Sequence, residues 1–152
     1  MSDNRFLFIE EAFTGAVKRL LTGRVNEMLG ELPFAIPLIE FGDYGGGDVM
    51  VPTIALISCE RTEKERIIQL DAYSFTVSFN LPETPESEMY CIAYATFVNY
   101  ALHENPTLGG IVDRVVIIGK KYVPPKKSGC GLEWEVILHL RITVESQITG
   151  NK

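Results

Sequence analysis

The chain has no cysteine pair, no long apolar run and no surplus of positive charge, and each absence narrows what it does. Cys59, Cys91 and Cys130 are odd in number and widely spaced, with no CxxC unit for zinc or thiol exchange. Reduced, partly buried thiols are therefore expected. No stretch approaches the roughly 18–20 consecutive apolar residues that a helical membrane span requires. The opening MSDNRFLFIEEAF has neither a basic leader nor a small-residue cleavage site, so no secretory signal is expected and a cytoplasmic origin follows. A net charge of −6 disfavours a general nucleic-acid binder, although it leaves room for a local basic patch.

Catalytic signatures are equally scarce. Gly42 and Gly47 have the spacing that opens a phosphate-binding loop, but Asp48 and Val49 stand where Lys and Ser/Thr belong. An aspartate there repels a phosphate. Glu40, Asp43 and Asp48 flank a glycine loop without the ligand spacing of a calcium-binding loop, and read as solvated acids. The two histidines, His103 and His139, accompany no GxSxG elbow or comparable nucleophile motif. Tyr73, Phe75 and Phe79 resemble the stacking platform of an RNA-binding sheet only superficially. The glycine-and-basic pattern that accompanies such platforms is missing, and packing beneath a helix is the better reading. The residues point to no enzyme, metal or cofactor.

What is present is a globular chain of 152 residues, 46% hydrophobic and 22% charged, which fits one domain with a substantial core. Arg5–Thr22 is predicted to be a one-faced helix: Phe6, Ile9, Phe13, Ala16, Val17, Leu20 and Leu21 fall within about half its circumference. Gly23 is expected to end or bend it, with a further short helical piece in Val25–Leu32. Pro33–Phe41 reads as an edge strand or an extended lead-in and Val49–Ser58 as a proline-marked edge strand, separated by the loop GDYGGGD. Cys59–Arg66 reads as a charged turn. It leads into a long strand, Ile67–Leu81, with a bulge or a twist expected near Asp71. Ile111–Gly119 is a strand, Lys120–Gly131 a connecting loop, and Leu132–Ser146 a strand with one wet face broken only by Ile137.

Between the two β regions lies the helix PESEMYCIAYATFVNYALHE, which Thr84 is expected to cap with Pro85 at its first position. Pro106 stops it by Glu104. At steps of about 100° it carries two apolar stripes on roughly opposite sides. Met89, Ala93, Phe97 and Tyr100 form one; Cys91, Ala95, Val98 and Leu102 form the other. A sheet covers one stripe, so the other needs a second helix or another subunit. The resulting fold class is α+β, a mostly antiparallel sheet with two helices on one face in the order α-β-β-β-α-β-β. Charge adds one asymmetry: Arg114–Leu132 holds Arg114, Lys120, Lys121, Lys126 and Lys127 and no acid. Such a cluster suits docking to an acidic partner or passing contact with nucleic acid.

The run from ENPTLGGIVDRVVIIG through LEWEVILHLRITVE, together with the element order, resembles the tail terminator (tail completion) proteins of long-tailed bacteriophages and prophages. The proline-interrupted N-terminal third matches that pattern less well. The resemblance implies a structural protein that self-associates into a ring, typically a hexamer, at the head-proximal end of the tail tube. There it would stop tube growth and offer a surface to a head–tail connector, with DNA only in transit and no membrane involved. It implies a place in the virion tail, and in the host cytoplasm during assembly. Contact candidates on the polar connections are Asp43, Tyr44, Asp48, Arg61, Lys64, Arg66, Lys120, Lys121, Lys126 and Lys127. Another head–tail joining or minor tail protein is the nearest alternative. A small-ligand enzyme or binding module on the same sheet comes next, and a nucleic-acid-binding domain last.

Overall fold

The computed structural model describes residues 8–41, 49–63, 68–125 and 133–147. In chain order these form α1 (Ile9–Leu20), a π-helical turn (Leu21–Val25), α2 (Asn26–Gly30), β1 (Leu38–Ile39), β2 (Val49–Met50) and β3 (Thr53–Glu63). There follow β4 (Ile68–Pro82), α3 (Ser87–Glu104), β5 (Arg114–Val123) and β6 (Glu133–Gln147). β4 and β6 pair along their full lengths, from Ile68 opposite Gln147 to Pro82 opposite Glu133. β3 flanks β4 and β5 flanks β6, so the four-stranded sheet has the order β3-β4-β6-β5 and is antiparallel throughout. β1 and β2 form a separate two-stranded parallel pair. The α+β class expected from the sequence holds.

Alternation decides which face of the sheet is covered. Tyr73, Phe75, Val77 and Phe79 on β4 and Val136, Leu138, Leu140 and Ile142 on β6 are buried against the helices. The opposite face carries Ser74, Thr76, Ser78, His139, Arg141 and Thr143, with Ile137 half-buried among them.

Across this apolar face lies the N-terminal helical run. Val17, Leu21, Val25 and Leu29 recur every four residues and are all buried. In a regular α-helix such a series drifts by about 40° per step. The wider π turn absorbs that drift and keeps the four side chains on one face. Gly23 does not end the helix: it sits inside the π turn, and the helical run continues to Gly30. Asn26 follows directly. Its Nδ2 donates to the carbonyls of Ile39 (2.9 Å) and Thr22 (3.2 Å), and its Oδ1 accepts from the Ile39 N–H (2.8 Å). One side chain thus stands in for a neighbouring strand along this side of β1.

α3 also begins differently from the expectation. Thr84 and Pro85 lie ahead of it, and the first helical residue is Ser87. Ser87 is buried, and its hydroxyl accepts from the Thr84 N–H at 2.9 Å while donating to the Pro82 carbonyl. Thr84 Oγ1 in turn accepts from the Glu86 N–H at 3.3 Å. A hydroxyl that satisfies the strand exit draws the helix start two residues past Pro85. At the other end α3 stops at Glu104, and Leu108, Gly109 and Gly110 take positive φ values of 52°, 74° and 92°. Leu108 accepts the left-handed conformation, disfavoured for a side chain of its size, and buries that side chain in the core.

The bulge expected near Asp71 is absent: Asp71 pairs in register with Arg61 and Val144. Irregularities lie instead on the two outer strands, between Leu56 and Ser58 on β3 and between Ile117 and Gly119 on β5. Two predicted loops are strand in part, Pro124 and Pro125 remaining outside any strand. Cys59–Glu63 continues β3, and Lys120–Val123 continues β5.

Candidate functional site

Of the ten contact candidates, Arg61, Lys120 and Lys121 lie among the described residues. Asp43, Tyr44, Asp48, Lys64, Arg66, Lys126 and Lys127 lie outside them. The three are not loop residues, and they occupy the two outermost strands of the sheet, Arg61 on β3 and the lysines on β5. Arg61 is already engaged. Its Nε and an Nη donate to the two carboxylate oxygens of Asp71 at 2.7 and 2.9 Å, a fork across the β3–β4 pair. That bond raises the guanidinium pKa further, and it gives the mostly buried Asp71 its counter-charge. Lys120 pairs with Leu138 and so stands on the helix side of the sheet, whereas Lys121 pairs with Ile137 on the open side. Neither lysine has an ion-pair partner among the described residues.

Sequence reasoning did find the doubly apolar central helix. Cys91, Tyr94, Ala95, Val98, Ala101 and Leu102 are buried on α3. On its other side Met89, Ile92 and Tyr100 are 44%, 48% and 53% exposed, with Phe97 half-buried and tilted against Tyr100 at 6.4 Å between ring centres. Of the expected stripe, Met89 and Tyr100 are therefore open in the single chain, with Ile92 beside them, while Ala93 and Phe97 pack partly against the core. What sequence reasoning missed is the pair of bulge isoleucines. Ile57 on β3 is 60% exposed and Ile118 on β5 is 58% exposed.

Two grooves lie among the described residues. A groove of about 410 Å³ between the end of α3 and β5 is lined by Asn99, Leu102, His103, Pro106 and Arg114, with Val115–Ile117 along one side. A second, of about 270 Å³, includes Arg19, Arg24 and Asn105. Neither lining contains a nucleophilic hydroxyl or thiol beside a base. Among the described residues no three His, Cys, Asp or Glu side chains gather in a metal-binding arrangement. Arg24 closes one rim by a fork onto Glu104 at 2.9 and 3.1 Å, with Glu27 at 3.2 Å. This clasp joins the π turn to the last turn of α3. The Arg24 hydrogen bond holds the Glu104 carboxyl below its ordinary range, so what the pair contributes is present above the usual carboxylate pKa and fades as pH falls through the lowered one.

No protein-family model and no curated protein matches this chain. The assignment of a role therefore rests on the surfaces themselves.

The thiols provide an internal check on packing. Cys91 is fully buried, and burial pushes its thiol up to about 11; Cys59 is exposed and is raised by partial desolvation and the neighbouring Asp71. In the native protein iodoacetamide should modify Cys59 within minutes to hours and leave Cys91 untouched until urea unfolds the chain, as read by peptide mass spectrometry. The folded state binds the Cys91 proton more tightly than the unfolded chain does. The contribution of Cys91 is thus constant below pH 9, and stability should fall as pH rises from 9 towards 11. Equal labelling of the two thiols in the native state would contradict this packing of α3.

Proposed function

We propose that this chain is a structural subunit of a phage or prophage tail, a terminator. In this reading it multiplies around an axis, caps the head-proximal end of the tail tube and halts further addition of tube subunits. The exposed ring face then receives the head–tail connector, and DNA passes through without being held. A net charge of −6 suits such a passage, since it repels the phosphate backbone. The role is one of geometry, with self (as a ring, hexameric in this reading), tube protein and connector as partners.

One observation carries the proposal. A single chain leaves an apolar helix stripe and two outer strands with exposed isoleucines open to solvent, while neither groove assembles a nucleophile and a base. Isolated apolar side chains at a surface are ordinary, but a helix stripe with two strand edges is the kind of surface that a neighbour covers.

The test is negative-stain microscopy of the purified protein, alone and with its tail-tube protein. Rings alone, and tubes closed at one end and arrested in length, are the expected result. Tubes that grow to the same lengths with and without the protein would overturn the terminator role. Ile92→Ser with Tyr100→Ser, both on exposed positions, should leave the fold intact by circular dichroism and weaken ring formation or capping about tenfold or more. Wild-type assembly and capping by that variant would remove the α3 stripe from the contact.

A further inference from the structure

We infer that successive copies join head to tail through the two outer strands of the sheet, β3 of one copy against β5 of the next. This rests on the self-associating reading above and names the surface that performs it.

Strand direction supplies the first argument. β3 and β6 run one way, β4 and β5 the other, because every neighbouring pair in the order β3-β4-β6-β5 is antiparallel. With four strands, the two outer ones run in opposite directions. A second copy set beside the first in the same orientation therefore brings its β3 antiparallel to the first copy's β5. Repetition continues the same alternation with no inversion of the subunit, as a heterologous contact that closes on itself requires.

Charge supplies the second. β5 carries Arg114, Lys120 and Lys121, all exposed, and no acid; Asp113, just before it, is taken up by the Glu145 backbone N–H. β3 carries Glu60 and Glu63, exposed and without an ion-pair partner among the described residues, while its single arginine is neutralised by Asp71. One edge is thus basic and the other acidic. Two copies of the same edge repel, whereas unlike edges attract.

Register supplies the third. Glu60, Ala72, Thr143 and Arg114 lie in a single row across the sheet, so an unshifted neighbour puts its Glu60 beside Arg114. Leu56, Phe75, Leu140 and Ile117 form another row, and each bulge directly follows its outer member. Bulges ordinarily discourage pairing at an edge by twisting the strand away. Here each projects an isoleucine into solvent next to that row, Ile57 on the Ser58 side of it and Ile118 on the Gly119 side, so that in the unshifted register the two meet diagonally across it.

The experiment is charge reversal read by light scattering over a concentration series, with circular dichroism to confirm folding. Glu60→Arg alone and Arg114→Glu alone should each weaken assembly about tenfold or more per contact. The double variant, and a 1:1 mixture of the two single variants, should regain it, because every edge again meets its opposite. Wild-type assembly by both single variants would overturn this interface and leave the ring reading standing. So would loss on Glu60→Arg with no effect of Arg114→Glu, the signature of β3 meeting β3. A wild-type protein that stays single at every concentration would overturn both the interface and the proposed function.

Discussion

Replacing Tyr94 by alanine is expected to lower the unfolding free energy by about 3–5 kcal/mol, the largest effect of any single change considered. Tyr94 is fully buried, and its ring lies flat on Phe79 with centres 4.8 Å apart and planes within 6°. Its hydroxyl donates to the Pro37 carbonyl at 2.6 Å, so one side chain ties α3 both to the sheet and to the lead-in of β1. Burial pushes the phenol pKa well up, which keeps it a donor throughout the neutral range. Tyr94→Phe isolates the polar part. It leaves the stack and orphans the Pro37 carbonyl, and should cost about 1–3 kcal/mol. Urea midpoints for the two variants measure both terms. A protein of this size has roughly 5–15 kcal/mol to lose, so the alanine variant should be partly unfolded on mild heating. Equal losses for the two variants would mean that the ring contributes nothing beyond its hydroxyl.

Asn26→Leu is expected to cost about 2–4 kcal/mol although it makes the helix more apolar. Both polar groups of the Ile39 backbone are satisfied by this amide, and the Ile39 side chain is fully buried. Leucine leaves that N–H and carbonyl without these partners. Asn26→Asp keeps the acceptor but sets a carboxylate against the carbonyls of Ile39 and Thr22. It should be nearly as damaging at pH 7, and should recover in part below about pH 4, where the protonated acid donates again. Urea titration at the two pH values reads this directly. If the leucine variant matched the wild type within about 0.5 kcal/mol, the amide would not be what holds β1 in place.

These two residues also show where the sequence was informative and where it was not. α3 announced itself through its spacing, its proline stop and its two apolar stripes, because a long helix averages over local accidents. The alternating strands β4 and β6 were legible for the same reason. The outer strands were legible only in their first halves. Each contains one extra residue, Ile57 or Ile118, which switches the inward and outward positions partway along. Past that switch, CERTE and KKY no longer continue the earlier alternation, and their charges read as turns. Asn26 was invisible because its partners are backbone groups, which no side-chain pattern reports. The contact candidates suffered similarly. Arg61 looked free until the strand pairing set Asp71 beside it, ten residues along the chain. The sheet edges, rather than any one charged loop, were the feature that only a register could reveal.

The helices cover one side of the sheet alone, and that has a bearing on how such a protein changes over generations. On the uncovered side, Ser74, Thr76, Ser78, Arg141 and Thr143 need only be compatible with an extended backbone. Substitutions there leave the interior packing undisturbed, so this wall of the molecule is free to drift in polarity and charge while its architecture persists. Selection can retune the chemistry of that wall without first solving the folding problem again.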